Sequence, residues 1–255
     1  MTEIFTSLTA PTLALVMGIA TLAGIVKGMV GFAMPMILIS GLGSIVAPEL
    51  ALAALILPTV VTNGMQAMRQ GRAAAWASVK RFRLFLGVAL CALLVSAQLV
   101  AVLPQSVLLL MIGGPITLFA VLQLAGWQPH LKSGPSRGLE AAIGGFAGFI
   151  GGFSGVWGPP TVAYLTALRT EKAEQMRIQG VVYGLGAVAL TLAHTGSGIL
   201  NGRTVWLSLA LIPPAVLGMW IGGQIQDRID QTAFRRATLC VLLIAGLNLV
   251  RRGLT

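Results

Sequence analysis

The chain has 255 residues, is 56% hydrophobic and only 9% charged, and has a mean hydropathy of +0.89. That much apolar surface excludes a soluble globule of this size, and long continuous apolar runs exclude a barrel of short alternating strands, so the composition predicts an all-α integral membrane protein. The net charge of +10 falls in short clusters between apolar runs, which places it at bilayer loops and excludes a nucleic-acid surface.

Residues 1–10 contain Glu3 and no Lys or Arg, so no cleavable signal peptide is expected. A span needs about 20 apolar residues. The first run covers 11–31 and is followed by 35–46, too short to cross. Residues 48–68 form a full span, 69–83 a basic loop with Trp76 as an interfacial anchor, and 84–103 with 105–125 a hairpin turned at Pro104. The linker 126–138, with Pro129, Gly134 and Pro135, joins a first transmembrane repeat (1–125) to a second (139–255). In the second, 139–158 is a glycine-rich helix, 160–168 is again short, and 169–177 is a charged loop. Residues 178–196, 204–225 and 233–250 are full spans, with 227–236 charged between the last two. Cys91 and Cys240 lie inside apolar segments without CxxC or Cys/His spacing and read as packing; no cofactor or metal is expected.

The two halves share a pattern. Gly24, Gly28, Gly31 and Pro35 match Gly148, Gly152, Gly155 and Pro159 at a constant offset of 124, while Gly71-Arg72 and Leu86-Gly87 recur as Gly202-Arg203 and Leu217-Gly218 at an offset of 131. Each half therefore holds one Gly/Pro-broken helix pair plus three transmembrane helices. Arg69, Arg72, Lys80, Arg81 and Arg83 make their loop cytoplasmic; alternation from there puts thirteen of the seventeen Lys and Arg inside and both termini outside the cytoplasm. Each broken pair returns the chain to its starting side and three further crossings follow, so the halves run in opposite directions. Inverted repeats are a plan of secondary transporters, whose sites lie near the midplane between broken helices.

A helix that starts at a proline inside the membrane aims unsatisfied N–H groups and a partial positive charge at what precedes it, a setting for a small oxyanion. The candidate substrate-binding residues are Lys27, Gly28, Gly31 and Pro35 at the first break and Gly152, Ser154, Gly155, Trp157, Pro159, Thr161 and Tyr164 at the second. Asn63 and Gln66 join them from the third segment. Each has a plainer reading: glycine stripes let helices pack, polar side chains bond neighbouring helices, and Lys27 near a span's end snorkels to water. His194, close to a helix end, reads as interfacial. All seven Asp and Glu lie in loops, tails or helix ends, so no buried carboxylate is nominated as a proton or sodium carrier. No HExxH, no intramembrane carboxylate pair and no Ser/His/Asp set points to an enzyme.

Two halves that each open with a glycine-rich helix broken by proline resemble the TauE/SafE family of sulfite exporters, over essentially the whole chain. The stretch Gly152-Phe-Ser-Gly155-Val-Trp157-Gly158-Pro159-Pro160 is the most specific part. The resemblance implies a multi-pass transporter of a bacterial or archaeal plasma membrane that carries sulfite, an organosulfonate or a related small sulfur-containing anion. Its partners would be that anion and the lipid bilayer, with a homo-oligomer left open. A passive anion channel and a non-transporting membrane assembly subunit stay as alternatives.

Overall fold

The computed structural model describes residues 9–127, 136–225 and 231–255. Most of the linker and the first part of the 227–236 loop lie outside them. Among the described residues the chain is helical, without strands: α1 (Ala10–Val30), α2 (Met34–Gly43), α3 (Pro48–Met68), α4 (Arg72–Arg81), α5 (Arg83–Ala97) extended by a 3-10 turn (Gln98–Ala101), and α6 (Gln105–Leu124). There follow α7 (Arg137–Ser154), α8 (Gly158–Ala167), α9 (Lys172–Gly196), α10 (Val205–Ala210), α11 (Ile212–Ile225) and α12 (Gln231–Leu254). Among the described residues six stretches are long and apolar enough to cross a bilayer: α1, α3, α5 with its 3-10 turn, α6, α9, and α10 with α11. Residues 233–250, expected as a full span, lie in α12, and the glycine-rich stretch 139–158 lies largely in α7; neither helix is among those six. Val95, Leu192 and Ile244 are exposed on the outer faces, where lipid tails would cover them.

The breaks form by one device used twice. Thr9 Oγ1 accepts from the Thr12 N–H (3.4 Å) to open α1, which stops at Gly31 (φ 81°), whose N–H donates to the Lys27 carbonyl at 2.8 Å. Ser136 Oγ accepts from the Leu139 N–H (3.1 Å) to open α7, which stops at Gly155 (φ 69°), whose N–H donates to the Gly151 carbonyl at 2.8 Å. Left-handed backbone favours glycine at both stops, and Pro35 and Pro159-Pro160 then fill the first turns of α2 and α8. Each short helix folds back along its partner. A Cβ at Gly41 would lie 2.9 Å from Ile19 of α1, and the Tyr164 ring stacks at 5.8 Å on Phe85, whose N–H donates to Glu140 of α7.

Among the described residues, four helix pairs join helices α1–α6 to helices α7–α12. α7 lies parallel to α5: a Cβ at Gly144, Gly148 or Gly152 would sit 2.8 Å from the Phe85 carbonyl, 2.7 Å from Ala89 Cα and 2.8 Å from the Ala97 nitrogen respectively. α1 lies parallel to α11 in the same way, with Gly24 2.9 Å from the Met219 nitrogen and Gly28 2.8 Å from that of Gly223. Only backbones without side chains between them approach so closely. α3 and α9 pair antiparallel, Gly180 against Ala67 and Gly184 against Asn63; so do α6 and α12, Gly113 against Gly246 and Gly253 against Ser106. The Ala89 carbonyl lies at Gly148 as the Ala215 carbonyl lies at Gly24. That spacing is 126, so the 131-residue match of Leu86-Gly87 with Leu217-Gly218 does not correspond to equivalent contacts.

Two expected loops are helical. Residues 72–81 form α4, which the helix-favouring alanines 73–75 support, and Trp76 on it is 60% exposed with the Lys80 ammonium 5.9 Å from its ring. α9 already starts at Lys172. The central α3 contains Pro58, which has no N–H for the Ala54 carbonyl. Ser208 of α10 repairs the gap: its hydroxyl donates to that carbonyl (3.1 Å) and accepts from the Leu57 N–H (3.0 Å).

Candidate functional site

Lys27 lies on the last turn of α1 and is 1% exposed, its ammonium hydrogen-bonded to Asn63 Oδ1 of α3. It does not snorkel. Among the described residues no carboxylate forms an ion pair with it. Asn63 is fully buried and its Nδ2 has no partner. One turn on, Gln66 donates from Nε2 to the carbonyls of Gly31 (2.9 Å) and Met176 (2.8 Å). Both partners only accept, which fixes the amide's orientation and leaves the buried Oε1 unpaired. From α9, Gln179, 2% exposed, brings a second unpaired Oε1 to 2.9 Å from where a Gly31 Cβ would stand. Gly31 thus serves both the left-handed turn and the close approach of two amides.

The second break repeats the frame with other side chains. A Cβ at Gly155 would meet Leu55 at 2.8 Å and Leu190 at 3.7 Å. Leu190 and Leu55 stand 124 residues from Gln66 and Gln179 respectively, so the two positions that are amides around Gly31 are leucines around Gly155. The Trp157 ring covers Gly151, the position matching Lys27, at 2.5 Å from its would-be Cβ, and Gly186 at 3.4 Å. Large and small residues have traded places. The breaks touch: the Phe32 ring lies 3.8 Å from a Cβ at Gly158.

The remaining candidates are placed as follows. Ser154 Oγ donates to the Ile150 carbonyl (2.5 Å) and accepts from the Val156 N–H (3.1 Å), and Thr161 donates to the Trp157 carbonyl (2.8 Å), so both hydroxyls stitch the second break. Tyr183 of α9 donates to the Gly158 carbonyl at 3.3 Å. Gly28 and Gly152 face the backbones of α11 and α5, and Pro35 and Pro159 open their helices. Tyr164 lies apart from Lys27, against Phe85 and an apolar groove of 510 Å³ that also takes in Phe119, Phe146, Pro159 and Pro160. The structure therefore gathers Lys27, Gly31, Asn63 and Gln66 into one buried polar cluster, with Pro35 and the second break beside it.

Two residues have roles that the sequence did not show. His194, two residues before the end of α9, is fully buried, with Nε2 3.0 Å from the Gly152 carbonyl and Nδ1 3.3 Å from Ser197 Oγ, and it binds the end of α9 to α7. Gln179 gave no sequence signal beyond a lone amide beside a charged loop. Gln66 lies two residues before the end of α3 and Gln179 seven into α9, roughly 10 Å at 1.5 Å per residue. That is nearer the helix ends than the expected midplane. Beyond them, Glu174 pairs with Arg81 (2.7 Å) and Arg177 (3.4 Å), and Arg177 also bonds Ser78 and Gln70.

No curated protein and no solved structure matches the chain. A model of the family described as sulfite exporter TauE/SafE matches residues 16–249.

Proposed function

Because the chain belongs to the sulfite exporter TauE/SafE family, we propose that it is a secondary transporter of a small sulfur-containing anion, sulfite or an organosulfonate, bound at the first break with Lys27 as counter-charge. Lys27 carries the reading. An ammonium removed from water loses several kcal/mol of hydration, which one amide oxygen only partly replaces. A bound anion would complete the balance, and an intramembrane cation marks a substrate path by default.

The inverted repeat belongs to the same proposal. It is supported by the 124-residue correspondence of the contacts at Gly31 and Gly155 and by the antiparallel run of α3 against α9, the helices that correspond at that offset. The positive-inside rule puts the α4 end in the cytoplasm of a bacterial or archaeal cell and both termini outside. The Glu174 network then closes the site on the cytoplasmic side. Leucines and Trp157 at the second break favour a carrier over a passive channel, which needs a polar path across the membrane.

Uptake of labelled sulfite into proteoliposomes tests the proposal. Wild type should show saturable uptake and Lys27→Met at least a tenfold loss. A folded Lys27→Met protein that transports at the wild-type rate would overturn Lys27 as the counter-charge.

A further inference from the structure

The cluster at Gly31 has more than a cation to satisfy. Asn63 Nδ2 is an unpaired donor, whereas Gln66 Oε1 and Gln179 Oε1 are unpaired acceptors, all buried to nine-tenths or more. A fully deprotonated oxyanion offers acceptors alone. It would suit Lys27 and Asn63 and leave both glutamine oxygens facing like partial charge. A ligand that fits every group carries one negative charge, oxygens for Lys27 and Asn63, and one O–H for the glutamine pair.

Resting on the reading of this site as an anion site, we infer that it selects a singly charged oxyanion carrying its own O–H donor, such as hydrogen sulfite in its hydroxyl form, and discriminates against dianions and against monoanions without a donor. Two observations beyond the unpaired atoms support this. The described residues supply one buried lysine and no second cation in contact with it, which matches a single negative charge. At the second break Leu190 and Leu55 stand at the corresponding positions, so the fold does not need amides there to hold its shape. The glutamines are a polar addition to a frame that also works with leucine. A site built to pair a substrate hydroxyl rejects the analogue lacking it, because buried polar groups are then left unmatched.

The test uses two competitors of one shape and charge. At mildly acidic pH methylphosphonate is a monoanion with one O–H, and methanesulfonate is a monoanion with none. Each is titrated against labelled sulfite uptake in proteoliposomes of the full chain. Wild type should be inhibited by methylphosphonate at a concentration roughly tenfold lower or better. In Gln66→Leu and Gln179→Leu, each carrying the residue found 124 positions away, sulfite uptake should itself fall, so the two competitors are compared by thermal stabilisation of the purified protein: their concentration ratio should fall toward one while stabilisation by methanesulfonate is retained. If either variant loses folded protein, Gln66→Met and Gln179→Met replace it. A wild-type ratio near one, or a ratio unchanged in both variants, overturns the inference and leaves the sulfur-anion reading standing. Folded wild type without sulfite uptake, but stabilised thermally by methylphosphonate and not by methanesulfonate, would do the reverse.

Discussion

Ser208→Ala isolates the repair of the Pro58 gap in α3. The hydroxyl holds two bonds at once, 3.1 Å to the Ala54 carbonyl and 3.0 Å from the Leu57 N–H. The Leu57 N–H can fall back on the carbonyl four residues earlier, whereas the Ala54 carbonyl has lost its helical donor to proline. One buried acceptor is therefore orphaned, at about 1–2 kcal/mol, the lower end applying where membrane hydrogen bonds are weak. For a chain of this length that corresponds to a fall in Tm of roughly 2–8 °C. In a Pro58→Ala background the restored N–H of residue 58 takes the Ala54 carbonyl, and Ser208→Ala should cost close to nothing. The four proteins form a double-mutant cycle, read by thermal unfolding in detergent through tryptophan fluorescence. Equal Tm changes for Ser208→Ala in both backgrounds would refute the repair.

Two further outcomes follow from the packing. Gly148→Leu should fail to give monodisperse protein on size exclusion, because its Cβ would press on the Ala89 backbone, whereas Gly145→Leu, facing only Val88 at 3.4 Å, should elute normally; a well-behaved Gly148→Leu would show that the seam is not a packing device. Glu174→Gln removes both of its ion pairs, with little effect on Tm because these groups are partly exposed. In protein with Cys91 and Cys240 replaced by serine, it should speed labelling of Gln66→Cys by a membrane-impermeant thiol reagent, and an unchanged rate would remove the network's closing role.

The helical class and both breaks were legible because glycine and proline act locally: Gly31 and Gly155 stop their helices, and Pro35 and Pro159 open the next, wherever tertiary structure later puts them. Lys27 was legible only as a question, since its burial depends on α3 arriving with Asn63. His194 and Gln179 were hidden for a related reason. Distance from a helix end reports depth and not which face a side chain occupies, and both residues face neighbouring helices. Charge misled at 72–81, where alanine propensity outweighed the arginines. The second repeat anchor misled because pairs such as Leu-Gly recur by chance in a chain with 32 glycines.

The pairing of α1 with α11 has a consequence for the order in which the molecule is made. Ribosomes emit α1 before every other helix described, yet Gly24 and Gly28 lie bare until α11 presents Ala215 and Met219, when nearly the whole chain has been synthesised. α7, by contrast, finds α5 already in place. The pairs can therefore close only in the order α7 on α5, α9 on α3, α11 on α1 and α12 on α6, and the helix that carries the buried lysine waits for a partner made near the end of the chain.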